Sequence, residues 1–138
     1  MFADGALKAR KAAEGAVAML DVSHSMEHIT TPARALVDKE YKHAAAAYGP
    51  TFASHHEGYG VLAEEVLEAE TDIRILDRDL RCVLTAIRNE EPQELSGHLK
   101  RMYRVAINGA AECIQVAAMC KKFVATIMQE EKNAEGTD

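Results

Sequence analysis

Apolar residues recur along the second half of this 138-residue chain at alternating steps of four and three, the spacing of an amphipathic helix. One seam runs Leu62, Val66, Ala69, Ile73, Leu76, Leu80, Val83 and Ile87. It predicts a long helix that starts at Ser54, where Ser54 and Glu57 have capping-box spacing, and reaches about Arg88. "NEEPQE" breaks it at Pro92. A second seam follows: Leu99, Tyr103, Ala106, Ala110, Cys113, Ala117, Cys120, Val124 and Ile127. Two long helices joined by a short turn predict an antiparallel hairpin over residues 54–128. Upstream, residues 6–21 form an Ala-rich, weakly amphipathic segment. Thr31 as N-cap with Pro32 in the first helical position predicts another helix, which Gly49-Pro50 stops after Tyr48. Residues 1–53 thus hold the N-terminal helices, and 129–138 read as a polar, frayed tail. No strand pattern interrupts this. The expectation is one all-α domain over 1–138, an antiparallel bundle of about four helices.

Composition fits a folded protein, with 48% hydrophobic and 28% charged residues. The net charge of −6 argues against a nucleic-acid partner, which needs a basic surface. Cys82, Cys113 and Cys120 are an odd count without CxxC spacing, each within an apolar helical pattern, and read as reduced, buried thiols. The N-terminal stretch has no apolar core of a targeting signal and no segment approaches a membrane span, so a cytoplasmic protein without a membrane partner is expected.

The chemistry concentrates in "ASHHEGYGVLAEEVLEAETD", which carries six carboxylates. At about 100° per residue, Glu65, Glu68 and Asp72 share one face bordering the apolar seam, with Glu57 and Glu64 flanking it. Like charges at these spacings repel, and no Lys or Arg lies four positions from Glu65 or Glu68. Either the face is a solvated acidic stripe, or a divalent cation offsets the repulsion; clustered hard oxygens suit Mg²⁺ or Mn²⁺. On the next helix Glu112 shares a face with Val105, Val116, Met119 and Phe123, with Asn108 and Gln115 beside it. A Glu in such company is rarely buried unless paired or metal-bound. Antiparallel packing would bring Glu65 and Glu68 toward Glu112 and Gln115.

"HEGYGVLAEEVLEAE" followed by "AAECIQVAAMCKKF" resembles the MazG-like all-α nucleoside triphosphate pyrophosphohydrolases, especially the short forms of phages and prophages. Their pattern is EExxE on one helix and ExxD on the next. Glu64-Glu65-Val66-Leu67-Glu68 matches the first, whereas Glu112-Cys113-Ile114-Gln115 places Gln where the pattern has Asp. The resemblance spans about Ser54 to Val124. It implies a helical bundle assembled as a homodimer or homotetramer, and Mg²⁺ held by both elements. It also implies hydrolysis of a nucleoside triphosphate to the monophosphate and pyrophosphate. By position Glu65, Glu68 and Glu112 become metal ligands with Gln115 as the weaker fourth. Glu64 becomes a ligand or the group that orients water, so Glu64 and Glu65 are the catalytic candidates. His56, Asn108 and Lys122 are the candidate substrate contacts; Lys121 is the alternative phosphate-reaching lysine. The loss of a carboxylate at Gln115 keeps open a non-catalytic MazG-like binding protein, and a structural oligomer whose glutamates sit in salt bridges is the third reading. "HSMEH", His24 to His28, fits the HxxEH zinc-peptidase pattern, but no third ligand is evident and Thr30-Thr31-Pro32 is expected to break the helix directly after it.

Overall fold

The computed structural model describes Lys8 and residues 26–136, and among them every regular element is a helix. Helix α1 spans Glu27–Tyr48, α2 His55–Arg88 and α3 Pro92–Glu135. The expected segment at 6–21 lies outside the described residues apart from Lys8, as does His24 of the HxxEH pattern. Thr31-Pro32 does not start α1 as expected; Pro32 lies inside it. Its missing N–H removes only the bond to the His28 carbonyl, in the second turn, and the helix continues. Contacts divide the chain between Ala35 and Leu36, and the residues discussed below all belong to the unit from Leu36 onward.

Local chemistry sets the helix ends. Gly49, at φ 87°, terminates α1 in a left-handed conformation that a side chain would strain. The Ser54 hydroxyl accepts from Glu57 N–H at 3.1 Å, and Glu57 reaches back to Ala53 N–H at 2.9 Å, so α2 begins where the capping spacing predicts. Asn89 caps its far end, Glu90 turns the chain at φ 54°, and Pro92 opens α3. The polar stretch expected to fray continues as helix to Glu135, with Gln129 donating to Asn133 at 3.1 Å. No described helix is long and apolar enough to cross a membrane.

α2 and α3 pack along their length as the predicted hairpin, but on rotated faces. The inward stripe of α3 is His98, Met102, Val105, Gly109, Glu112, Val116, Met119, Phe123 and Thr126, one residue back from the predicted seam at each position. That is the face shared by Glu112, Val105, Val116, Met119 and Phe123. On α2 the inward positions are Leu62, Glu65, Ala69, Asp72, Leu76, Asp79, Val83 and Ala86, so alternate positions are carboxylates. Polar partners make this possible. Asp79, wholly buried, accepts two hydrogen bonds from Arg101. Seven residues along, Asn108 donates to Asp72 at 2.7 Å. Asp72 and Asp79, the two carboxylates buried most deeply, thus receive donors, without which their burial would be prohibitive. The apolar seam expected inside α3 faces out instead: Leu99, Tyr103, Val124 and Ile127 are exposed, as are Val66, Ile73, Leu80 and Ile87 of α2. The cysteines follow. All three are free thiols, but Cys113 and Cys120 are exposed and Cys82 half-buried, because two of them lie on that outward seam.

The apolar core sits where α1, the 49–54 loop and the C-terminal half of α3 meet, around Ala44, Phe52, Ala118 and Met119 with Tyr41, Val61 and Phe123 against them. Phe52 meets the Phe123 ring edge-on at 5.9 Å, and its N–H donates to Thr126 Oγ1 at 2.9 Å. Gly58 is buried here: a Cβ would stand 2.6 Å from Phe123 Cε2, in a ring also flanked by His55. At Gly60, two residues on, a Cβ would meet nothing within 4 Å. Gly60→Ala is therefore expected to stabilise by about 1 kcal/mol, the ordinary helix gain. Gly58→Ala is expected to destabilise by about 1–3 kcal/mol through overpacking. Paired urea unfolding curves test this, and two gains of equal size would refute the close Gly58–Phe123 contact.

Candidate metal centre

Glu65, Glu68 and Glu112 each offer a carboxylate oxygen, and these oxygens lie within 4.8 Å of one another. Glu65 and Glu68 share one face of α2 a turn apart, and Glu112 meets them from the inward stripe of α3. None of the three forms an ion pair among the described residues, where the ion pairs use other groups. The salt-bridge reading of this cluster therefore finds no partner in the structure.

The electrostatics are those of anions crowded together. The Glu65 carboxyl is pushed above its ordinary 4.5 first by burial, then by the charges of Glu68, Glu112, Glu64 and Glu40. Glu112 is raised too, by burial first and then by a hydrogen bond and repulsion from Glu68. Glu65 Oε2 is buried without a hydrogen-bond partner. An orphaned buried oxygen carries a desolvation cost of about 1–3 kcal/mol unless something binds it. Hard oxygens at this spacing fit the coordination sphere of a small divalent cation, whose own ligand oxygens sit at about 2.0–2.1 Å.

A cavity of about 490 Å³ adjoins the cluster, lined by Glu65 and Gln115 and by Tyr48, Phe52, Glu57 and Lys122. Gln115 is thus beside the carboxylates, with its amide available to the same space. Lys122 is 5% exposed, its Nζ lies 4.5 Å from the centre of the Phe52 ring, and it forms no ion pair among the described residues. Lys121 is committed elsewhere, to Asp38 and to the Tyr41 ring. Glu65, Gln115 and Lys122 therefore line one space, and Glu68 and Glu112 converge on Glu65 at its side.

The remaining candidates stand apart. Glu64 is exposed and outside the converging set, close enough for its charge to act on Glu65. Asn108 is spent on Asp72, so its amide is not directed to the cavity. His56 is exposed, and it is His55 that contacts Glu130, at 2.7 Å, and the Phe123 ring. Tyr48, Phe52, Glu40 and His43 line the cavity and were not singled out from sequence. They come from α1 and the following loop, and no spacing rule tells how one helix packs against the hairpin that follows it. Compared with protein-family models, with curated proteins and with solved structures, the chain matches none of them.

Proposed function

We propose that this chain is a cytosolic, Mg²⁺-dependent nucleoside triphosphate pyrophosphohydrolase of MazG-like type. The observation that carries the reading is the orphaned Glu65 oxygen, set among three converging carboxylates at a cavity that also holds a buried, unpaired lysine. A polyanion with its cation satisfies both halves of that arrangement, where neither a bare anion nor a bare cation does. Glu65, Glu68 and Glu112 are the proposed ligands, with the Gln115 amide oxygen as a weaker fourth. Bound there, the cation supplies charge neutralisation for a phosphoryl group and lowers the pKa of its water. Lys122 holds a phosphate from the other side of the charge balance, and the Phe52 and Tyr48 rings give the base an apolar surface. Glu64, beside the set, is the carboxylate left to take a proton from water. The test is pyrophosphate release from a panel of nucleoside triphosphates with Mg²⁺ or Mn²⁺, next to Glu65→Gln. Release that requires the metal and vanishes in the variant supports the reading. Metal binding without release, by folded protein, would leave a binding protein in which Gln115 marks lost chemistry, and Gln115→Asp would be the first reversion.

Homo-oligomerisation is the second part of the proposal, and a separate observation supports it. The outward stripe of α3, from Leu99 through Tyr103, Ala106, Ala110, Cys113, Ala117 and Cys120 to Val124 and Ile127, is a complete apolar seam of alternating four and three steps with small residues at its middle. An apolar stripe of that length on one face marks an interaction surface, and small residues let a partner helix approach. A double substitution, Ala110→Glu with Ala117→Glu, is expected to convert an assembly of two or more copies into a 15.1 kDa monomer, read by light scattering. A wild-type chain already monomeric at that mass would remove this part of the proposal.

A further inference from the structure

We propose that Asp79, Cys82 and His98 form a second metal site, of zinc class, at the turn end of the α2–α3 hairpin. A carboxylate oxygen, the Cys82 sulfur and an imidazole nitrogen of these residues lie within 4.8 Å of one another. Asp79 and Cys82 are one turn apart on α2, and His98 reaches them from the inward stripe of α3. The site is separate from the acidic cluster: fourteen residues of α2 divide Glu65 from Asp79, about 21 Å along a helix.

The donor set decides the class of ion. Mg²⁺ and Ca²⁺ take hard oxygens, whereas a thiolate with an imidazole favours Zn²⁺ and its neighbours among the transition metals. Arg101 donates to both oxygens of Asp79, which fixes the orientation of the carboxylate. Each of those oxygens keeps a second lone pair, so Asp79 can still ligate while its partner holds it in place. Cys82 and His98 also line a cavity of about 230 Å³ together with Glu91 and Glu94. Glu94 lies four residues before His98, the spacing at which two side chains of one helix reach one metal. Three candidate donors thus meet in the interface, and the adjoining cavity carries Glu91 and Glu94 as further carboxylates.

Co²⁺ is the probe, because a thiolate bound to Co²⁺ gives a charge-transfer absorption that an all-oxygen site does not. Metal-stripped, reduced full-length chain is titrated with Co²⁺ and then with Zn²⁺. The expected result is one thiolate–Co²⁺ complex per chain, displaced by Zn²⁺, absent in Cys82→Ser and unchanged in Cys113→Ser, Cys120→Ser and Glu65→Gln. His98→Ala is expected to weaken binding by at least the about ten- to hundredfold that loss of an outer-shell partner costs. In a Glu65→Gln background, where the acidic cluster has lost a ligand, Zn²⁺ should still raise the melting temperature, and adding Cys82→Ser should abolish that rise, which separates lost ligation from lost folding. No charge-transfer band, or a band that follows Cys113 or Cys120 in place of Cys82, would overturn the assignment. Because the readout is sulfur ligation, it stands or falls apart from any result at Glu65.

Discussion

Glu65→Gln is expected to abolish metal-dependent pyrophosphate release and, in the same protein, to raise the melting temperature measured without metal. The two effects share one cause. The Glu65 carboxylate is half-buried beside Glu68 and Glu112, and one of its oxygens has no partner. In the absence of a cation that charge is repelled and poorly solvated, so a neutral amide of the same shape relieves the folded state. With a cation, the same substitution removes a principal ligand; a loss of about a hundredfold or more follows if charge stabilisation at the phosphoryl group depends on it. A plain surface glutamate would show neither effect. A drop in metal-free stability would contradict the crowded geometry, and retained activity would remove Glu65 from the site.

The pH dependence carries the same sign logic. Glu65 and Glu112 are raised above 4.5 in the folded state, so folding favours their protonated forms. Metal-free protein therefore gains stability as pH falls from neutrality through their raised values, and the gain is complete below the ordinary 4.5. Asp79 is displaced the other way, below 3.8, chiefly by its hydrogen bonds from Arg101. The stability it contributes is present above 3.8 and is lost as pH falls through its lowered value. A maximum on the acid side of neutrality follows. Glu65→Gln should flatten the upper limb without removing it, since Glu94 is also raised by its hydrogen bond to Glu91, and saturating Mg²⁺ should reverse that limb. Thermal melts from neutral to acid pH, with and without Mg²⁺, measure all three.

Phe52→Ala is expected to cost about 3–5 kcal/mol, the usual range for truncating a buried phenylalanine. Phe52 is 6% exposed, packs against Phe123 and underlies the Lys122 ammonium at 4.5 Å. Against a typical folding stability of about 5–15 kcal/mol, that loss leaves a marginal protein. Phe52→Leu separates the two roles of the ring. It keeps most of the apolar volume, so it should cost under about 1.5 kcal/mol, yet it removes the π-face on which Lys122 rests and so weakens triphosphate binding. Urea unfolding and nucleotide titration of both variants check this, and equal losses for Ala and Leu would show that the aromatic face, not the volume, holds the loop.

How much of this was legible in the sequence depends on which property wrote it. The hairpin was: capping chemistry at Ser54, the stop at Asn89 to Pro92 and the four-and-three spacing are local. The approach of Glu112 to Glu65 and Glu68 followed from that hairpin being antiparallel. The inward faces were legible only in part: the face of Glu112, Val105, Val116, Met119 and Phe123 and the seam positions Leu62, Ala69, Leu76 and Val83 do turn inward, whereas Val66, Ile73, Leu80 and Ile87 give way to carboxylates or Ala86 beside them. Glu65, Asp72 and Asp79 recur every seven residues, as do Arg101, Asn108 and Gln115, and both series face the interior or its edge. That sevenfold recurrence of polar residues was visible; what it meant required knowing that Asp72 and Asp79 find donors on the facing helix and that Glu65 does not. The burial of Lys122 was not legible either, since only the placement of Phe52 by the 49–54 loop covers it.

The pairing of α2 with α3 has one more consequence. Asp79 with Arg101, Asp72 with Asn108, and Glu68 with Glu112 are all placed symmetrically about the turn at residue 90. Two straightened copies lying antiparallel would form the same pairs between chains that one folded hairpin forms within itself. Nothing in the pairs distinguishes a closed hairpin from an exchange of α3 between two molecules. The distinction rests on three residues: Asn89 capping α2, Glu90 in the left-handed conformation, and Glu91 leading into Pro92, whose ring disfavours helix in the residue before it. The turn, and not the interface it joins, decides whether this chain keeps its α3 or trades it.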